Sequence, residues 1–172
     1  MIDIRSAQGV IFDLDGTLVE SNLDFAEIRR AIGCPTGVDV LKYIAELPSL
    51  HTQSQAHQVV LQHELDDAQD AAWLSGAKDF VEKLHAQDVP MAIVTRNCQA
   101  ATQIKMENNS IPIDIVLTRE DAPAKPDPTA LLMIAQRWQI PCEQLLYVGD
   151  YIYDEQAAAN ANMQFRYSPF GR

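Results

Sequence analysis

The chain has 172 residues, a length that suits one domain carrying at most a small insertion. Hydrophobic residues make up 47% of it, ample for a buried core, and the formal net charge is -11. Such a surface repels phosphate backbones and anionic lipid, so neither nucleic acid nor membrane is expected as a partner. A small phosphorylated ligand is still compatible with it, because one Mg²⁺ and one lysine reverse the field locally. Cys34, Cys98 and Cys142 are scattered and form no Cys-x-x-Cys pair, as expected of thiols in a reducing cytosol. Met1 to Arg5 lacks a basic segment followed by an apolar one, and no apolar run is long enough for a bilayer. A cytoplasmic protein is the expectation.

Val10-Ile11-Phe12 is a short β-prone run that reads as a buried strand of a parallel sheet. Asp13 and Asp15 interrupt it, and alternation along an extended chain turns both toward one spot at the strand's end. Gly16 follows, where the backbone turns sharply or comes close to a ligand. Two carboxylates forced together call for a cation or a shared proton.

Helical patterns come next. Asp24 can cap a helix carrying Phe25, Ile28 and Ile32 as its apolar stripe, with Gly33 at its end. Arg29 and Arg30 lie late in it, and at least one should project away from that stripe. Val38, Leu41, Ile44, Ala45 and Leu47 give a second helix, stopped by Pro48. A longer polar helix runs from Thr52 to Trp73, and Gly76 opens a fourth. Roughly fifty residues of helix exceed an ordinary connection.

Beyond this the pattern alternates: strand 91–95, helix 100–106, strand 113–118, helix 128–138, strand 145–148, helix 154–162 and an edge strand 164–167. Alternation of this kind implies parallel βαβ units in a doubly wound α/β sheet. The outer edge of such a sheet can be left open or covered by a second copy, so monomer and homodimer are both compatible. Asp13, Asp15, Thr95 and Asp150 each follow an apolar strand, and Lys125 lies in the loop after another. Strand ends of open parallel sheets converge on a ligand crevice, which gathers these groups.

Asp13-Leu14-Asp15-Gly16-Thr17-Leu18 resembles the signature of the haloacid dehalogenase-like superfamily, in its phosphatase branch. Thr95 after Met91 to Val94, Lys125 in Ala124-Lys125-Pro126, and Gly149-Asp150 with Asp154 match the remaining family motifs in order. The resemblance implies a Rossmann-like core from residues 1–19 and 76–172 and a small all-helical cap from residues 20–75. It implies a Mg²⁺-dependent phosphatase of a small phosphorylated metabolite. Asp13 would be the nucleophile and Asp15 the general acid and base. Thr95, Arg96, Asn97 and Lys125 would hold the phosphoryl group. Asp13, the backbone carbonyl of Asp15, and Asp150 would hold the metal, with Asp154 supporting it or its waters. Independently of the resemblance, the helix pattern around Phe25, Ile28 and Ile32 makes Arg29 or Arg30 a candidate to meet an anionic leaving portion. A phosphomutase sharing the aspartyl phosphate, a receiver-type phosphate acceptor and a binding protein without turnover are the alternatives.

Other features have bland readings. His51, His57 and His63 do not share a helical face. Glu64, Asp66, Asp67 and Asp70 read as a solvated acidic face, and Trp73 and Trp138 as packing residues. Cys98 falls at a helix start, where a thiolate would be favoured.

Overall fold

The computed structural model describes residues 1–171. Five parallel strands, β1 (Gly9–Phe12), β2 (Met91–Val94), β3 (Ile115–Leu117), β4 (Leu145–Gly149) and β5 (Gln164–Tyr167), stand in the order β3-β2-β1-β4-β5. Strand alternation divides the core between two faces. Val10, Phe12, Ile93 and Val148 meet Val81 and Leu84 of α4 (Ala77–Ala86). Ile11, Ala92, Val94 and Tyr147 meet Leu131 and Ile134 of α6 (Thr129–Trp138) and Ala157 of α7 (Ile152–Asn160). The doubly wound α/β architecture read from the sequence is therefore the one observed.

The insertion after β1 holds three helices, α1 (Phe25–Ile32), α2 (Val40–Ala45) and α3 (Leu50–Asp70). Asp24 caps α1 by accepting from the Glu27 amide, and Gly33 ends it in the left-handed region at φ 76°. Ile28, Val40, Ile44, Ala56 and Val60 form an apolar cluster of their own. The insertion's entry and exit lie side by side. Val19 bridges Trp73 antiparallel, the Glu20 amide donates to the Ala72 carbonyl at 2.8 Å, and the Leu74 amide donates to the Leu18 carbonyl at 2.8 Å.

The elements depart from the sequence reading where local contacts intervene. Ser49 caps α3 from the Thr52 amide at 3.1 Å, so α3 starts at Leu50. It stops at Asp70 because the chain extends toward the bridge at Trp73. β3 is shorter than 113–118, since Ile113 packs beneath the sheet after a local turn onto the Ile111 carbonyl. Phe25, expected in the apolar stripe of α1, is instead 50% exposed at the mouth of a cavity. The second half of α3 also leaves the insertion's cluster, because Ala68 packs on Cys98 and Ala101 at the start of α5 (Gln99–Asn108). Among the described residues no helix is long and apolar enough to cross a membrane.

Candidate active site

β1, β2 and β4 end together, and their last residues open into a cavity of about 560 Å³ closed on its far side by α1 to α3. Asp13, Asp15, Thr95, Asn97, Lys125 and Asp150 line its floor, and Phe25, Ile28, Arg29, Asp39 and Val40 line its roof.

Asp13 continues the β1 ladder, its amide donating to the Val148 carbonyl at 2.9 Å. One carboxylate oxygen accepts from the Lys125 ammonium at 2.9 Å. That ammonium also donates to Asp154 Oδ1 at 2.6 Å, Tyr147 Oη at 2.7 Å and the Val94 carbonyl at 3.1 Å. Four acceptors for three protons fix it from all sides. Burial alone would lower its pKa, but Asp13 and Asp154 outweigh that and hold it above the ordinary lysine value.

Asp154, in the first turn of α7, is 2% exposed. Its second oxygen accepts from the amides of Asp150 at 3.2 Å and Tyr151 at 3.1 Å, which caps the helix and fixes the loop bearing Asp150. Two glycines make this approach feasible. A Cβ on Gly149 would collide with Asp154, and one on Gly16, at φ +76°, would collide with the Asp150 carboxylate.

Carboxylate oxygens of Asp13, Asp150 and Asp154 lie within 4.8 Å of one another. Burial first, then the Asp154 charge, pushes the Asp13 carboxyl well above its ordinary value, although Lys125 opposes the shift. Asp150 is raised as well, chiefly by burial. Three acids against one ammonium leave an excess of negative charge on hard oxygen donors. A Mg²⁺ ion fits that set.

Thr95 and Asn97, each 4% exposed, form a tight loop after β2. Thr95 Oγ1 accepts from the Asn97 amide at 3.1 Å, and Asn97 Oδ1 accepts from the Cys98 amide at 2.8 Å. Asn97 Nδ2 donates to Asp15 Oδ2 at 2.9 Å. Asp15 therefore diverges from Asp13. Its other oxygen pairs with the Lys105 ammonium on α5, which also donates to Asp67 of α3 at 2.7 Å. Both acids line the cavity, but they do not share one cation, and the Asp15 carboxylate lies outside the Asp13, Asp150 and Asp154 cluster.

The family model described as haloacid dehalogenase-like hydrolase matches residues 21–167. The chain belongs to the haloacid dehalogenase-like hydrolases. It is 30% identical over 161 residues to a haloacid dehalogenase-like hydrolase domain-containing protein of Arabidopsis thaliana. That match covers 87% of this chain and 65% of the plant protein, so the chain spans just under two thirds of its relative. A phosphoglycolate phosphatase of Cereibacter sphaeroides is 29% identical, with 91% of this chain and 83% of that enzyme covered. A solved hydrolase from Pseudomonas syringae has the same fold, with a TM-score of 0.77 at 23% identity, over 92% of this chain and 83% of that one.

Several charged side chains and Cys98 make contacts other than those the sequence suggested. Arg96, expected on the phosphoryl group, reaches across the cavity to Asp39 of the insertion at 2.7 Å, with its guanidinium 4.7 Å from the centre of the Tyr153 ring. Glu64 and Asp67 are not part of a solvated acidic face. Glu64 is 5% exposed and pairs with Arg119, and Asp67 pairs with Lys105. Asp66 and Asp70 are exposed as expected. Of the two cap arginines only Arg29 lines the cavity, with Nε donating to the Val38 carbonyl at 3.1 Å, whereas Arg30 is exposed elsewhere. Cys98 caps α5 as a buried thiol, and burial pushes its pKa up to about 11, so no thiolate is favoured there.

The sequence reading missed Tyr147 and Lys105. Tyr147 lies on β4 with its hydroxyl donating to Asp154 at 2.8 Å. Lys105 had a signal: with Ala101 and Thr102 it falls on the helical stripe that α5 buries. Glu64 had one too, in the Ala56, Val60, Glu64, Ala68 row at four-residue spacing.

Proposed function

We propose that the chain is a Mg²⁺-dependent phosphatase that hydrolyses a small phosphomonoester through an aspartyl phosphate on Asp13. The observation that carries this reading is the setting of Asp13. It is a buried carboxylate at a strand end with one oxygen on Lys125 at 2.9 Å and two further acids beside it.

The other Asp13 oxygen attacks phosphorus. An oxygen–phosphorus bond forms to Asp13 as the bond to the leaving oxygen breaks, and Asp15 gives that oxygen its proton. Asp15 then takes a proton from water, which attacks the phosphoryl group and returns the Asp13 carboxylate and inorganic phosphate. Mg²⁺, held by Asp13, the Asp15 carbonyl and Asp150, would neutralise phosphoryl charge. Thr95 and Asn97 shape the loop against which the phosphoryl oxygens rest. Lys125 holds Asp13 in place and neutralises charge on Asp13 and on the phosphoryl group, mainly in the transition state. Asp154 positions Lys125 and the Asp150 loop, since each of its oxygens already accepts within the protein.

Arg29 is the one cavity-lining cap arginine, and it suits a small leaving group that carries a carboxylate or second phosphate. Relatives named phosphoglycolate phosphatase make a phosphorylated carboxylic acid the first substrate to try. The decisive experiment is phosphate release from an aryl phosphate, with Mg²⁺ and with chelator. Metal-dependent release to water, without a second sugar acceptor, supports a phosphatase over a phosphomutase. Metal-independent release, or none, contradicts the reading.

A further inference from the structure

Lys105 is a lysine with no exposed surface, outside the motifs that define the site. It projects from the buried stripe of α5 and joins two carboxylates that belong to different parts of the molecule. One is Asp15, whose side chain is 19% exposed into the cavity; the other is Asp67 of α3, whose side chain is 4% exposed. Asp67 is itself held by the chain that enters the insertion, accepting from the Asn22 amide at 2.6 Å and from Ser21 Oγ at 3.4 Å. A fully buried ammonium is costly unless paired, so Lys105 stays where both acids can reach it. Its partners keep its pKa above the ordinary lysine value against the opposing effect of burial.

The consequence for Asp15 is geometric. Oδ2 is fixed by Asn97 from the β2 loop and Oδ1 by Lys105 from beneath. The lower anchor is shared with a carboxylate of the insertion. Displacing α3 would strip Asp67 from the ammonium and change the footing on which Asp15 rests.

We propose that Lys105 is a positioning residue for Asp15, and that through Asp67 it makes the placement of the proton donor depend on the docking of the helical insertion. This rests on the assignment of Asp15 as general acid, and it adds a residue and a link that the assignment does not contain. Lys105 itself does not line the cavity.

The test uses leaving groups. An alkyl phosphate needs its departing oxygen protonated, whereas 4-nitrophenyl phosphate departs without that help. The rate of leaving-group release in a single turnover is measured for wild type, Lys105→Met, Asp67→Asn and the double variant, all with Mg²⁺. Lys105→Met should lower the alkyl rate roughly a hundredfold, the scale of a misplaced catalytic group, and leave the aryl rate nearly unchanged. Asp67→Asn, which keeps the Lys105–Asp15 pair, should show the same selectivity more weakly. The double variant should be no worse than Lys105→Met alone, because both act through one contact. Equal losses on both substrates, or additive losses in the double variant, would overturn the proposal and reduce Lys105 to charge compensation. If Lys105→Met melts at room temperature, Asp67→Asn decides the matter alone by its selectivity between the two substrates. A wild type that releases nothing from the aryl phosphate would instead overturn the phosphatase reading, which separates the two failures.

Discussion

Two buried lysines, each between two aspartates, divide the labour of this site. Lys125 binds Asp13 and Asp154, all on the Rossmann-like core, and adds the Tyr147 hydroxyl and the Val94 carbonyl to its contacts. Lys105 binds Asp15 of the core and Asp67 of the insertion. The first constellation is closed within one packed unit and gives Asp13 a fixed place. The second joins the core to the half of α3 that packs on α5 through Ala68, Cys98 and Ala101, so it holds Asp15 only while that helix stays docked. The same chemistry yields rigidity in one place and dependence on a neighbour in the other, and the difference lies in which element supplies the second carboxylate.

The largest expected effect falls on the fixed constellation. Asp13→Asn should keep the fold and lose activity by roughly 10⁴ to 10⁶, because the amide is a poor nucleophile. Steady-state kinetics on a homogeneous, non-deamidated sample checks this.

Lys125→Met should come next. It removes the ammonium from two buried carboxylates, and kcat should fall by roughly 10² to 10³, on the scale of a lost oxyanion donor. Leaving those charges uncompensated should also cost about 3 to 5 kcal/mol of stability, measured by urea unfolding. Asp67→Asn leaves Lys105 paired with Asp15 and should cost less, about 1.5 to 3 kcal/mol for one charged hydrogen bond. Equal costs would erase the contrast between the two lysines.

The acid cluster predicts a pH dependence. Asp13 and Asp150 titrate above the ordinary value of 3.8 in the folded protein. The folded state therefore keeps protons that the unfolded chain releases. Their contribution to stability falls as pH rises from that value through the raised ones. In chelator, Asp150→Asn should flatten this decline. Mg²⁺ should raise the melting temperature of the wild type more near neutral pH than in mild acid. A scan of melting temperature against pH, with and without metal, reads both.

Much of this was legible in the sequence because strand ends announce themselves. An apolar run broken by Asp13, Thr95 or Asp150 marks both a strand and the place where it stops, and a parallel sheet brings such places together. Lys125 was legible through its motif. Lys105, Glu64 and Asp67 were not, because a charged residue on a helix is ordinarily solvated. The helical rows containing Lys105 and Glu64 put them in the buried stripe, but only the packing of α3 on α5 brings Asp67 to Lys105, and only the loop after β3 brings Arg119 to Glu64. Arg96 lines the cavity, as its position after Thr95 suggested, but its pairing with Asp39 on the insertion could not be read from the sequence.

The smallest effect concerns the roof of the cavity. Arg29→Ala should raise KM for an anionic substrate by roughly ten- to a hundred-fold, the worth of a desolvated charged pair, and leave a neutral aryl phosphate nearly unaffected. Arg30→Ala should change neither substrate, since Arg30 does not line the cavity.

On the proposed mechanism, Asp13 carries the phosphoryl group. Rapid quenching of the enzyme with a phosphate-labelled substrate and Mg²⁺, followed by peptide mapping, tests it directly. The expected result is a labile acyl phosphate on the peptide containing Asp13, formed at the rate of leaving-group release and lost at the rate of phosphate release. Full turnover with no protein-bound label, or label on another residue, would contradict it.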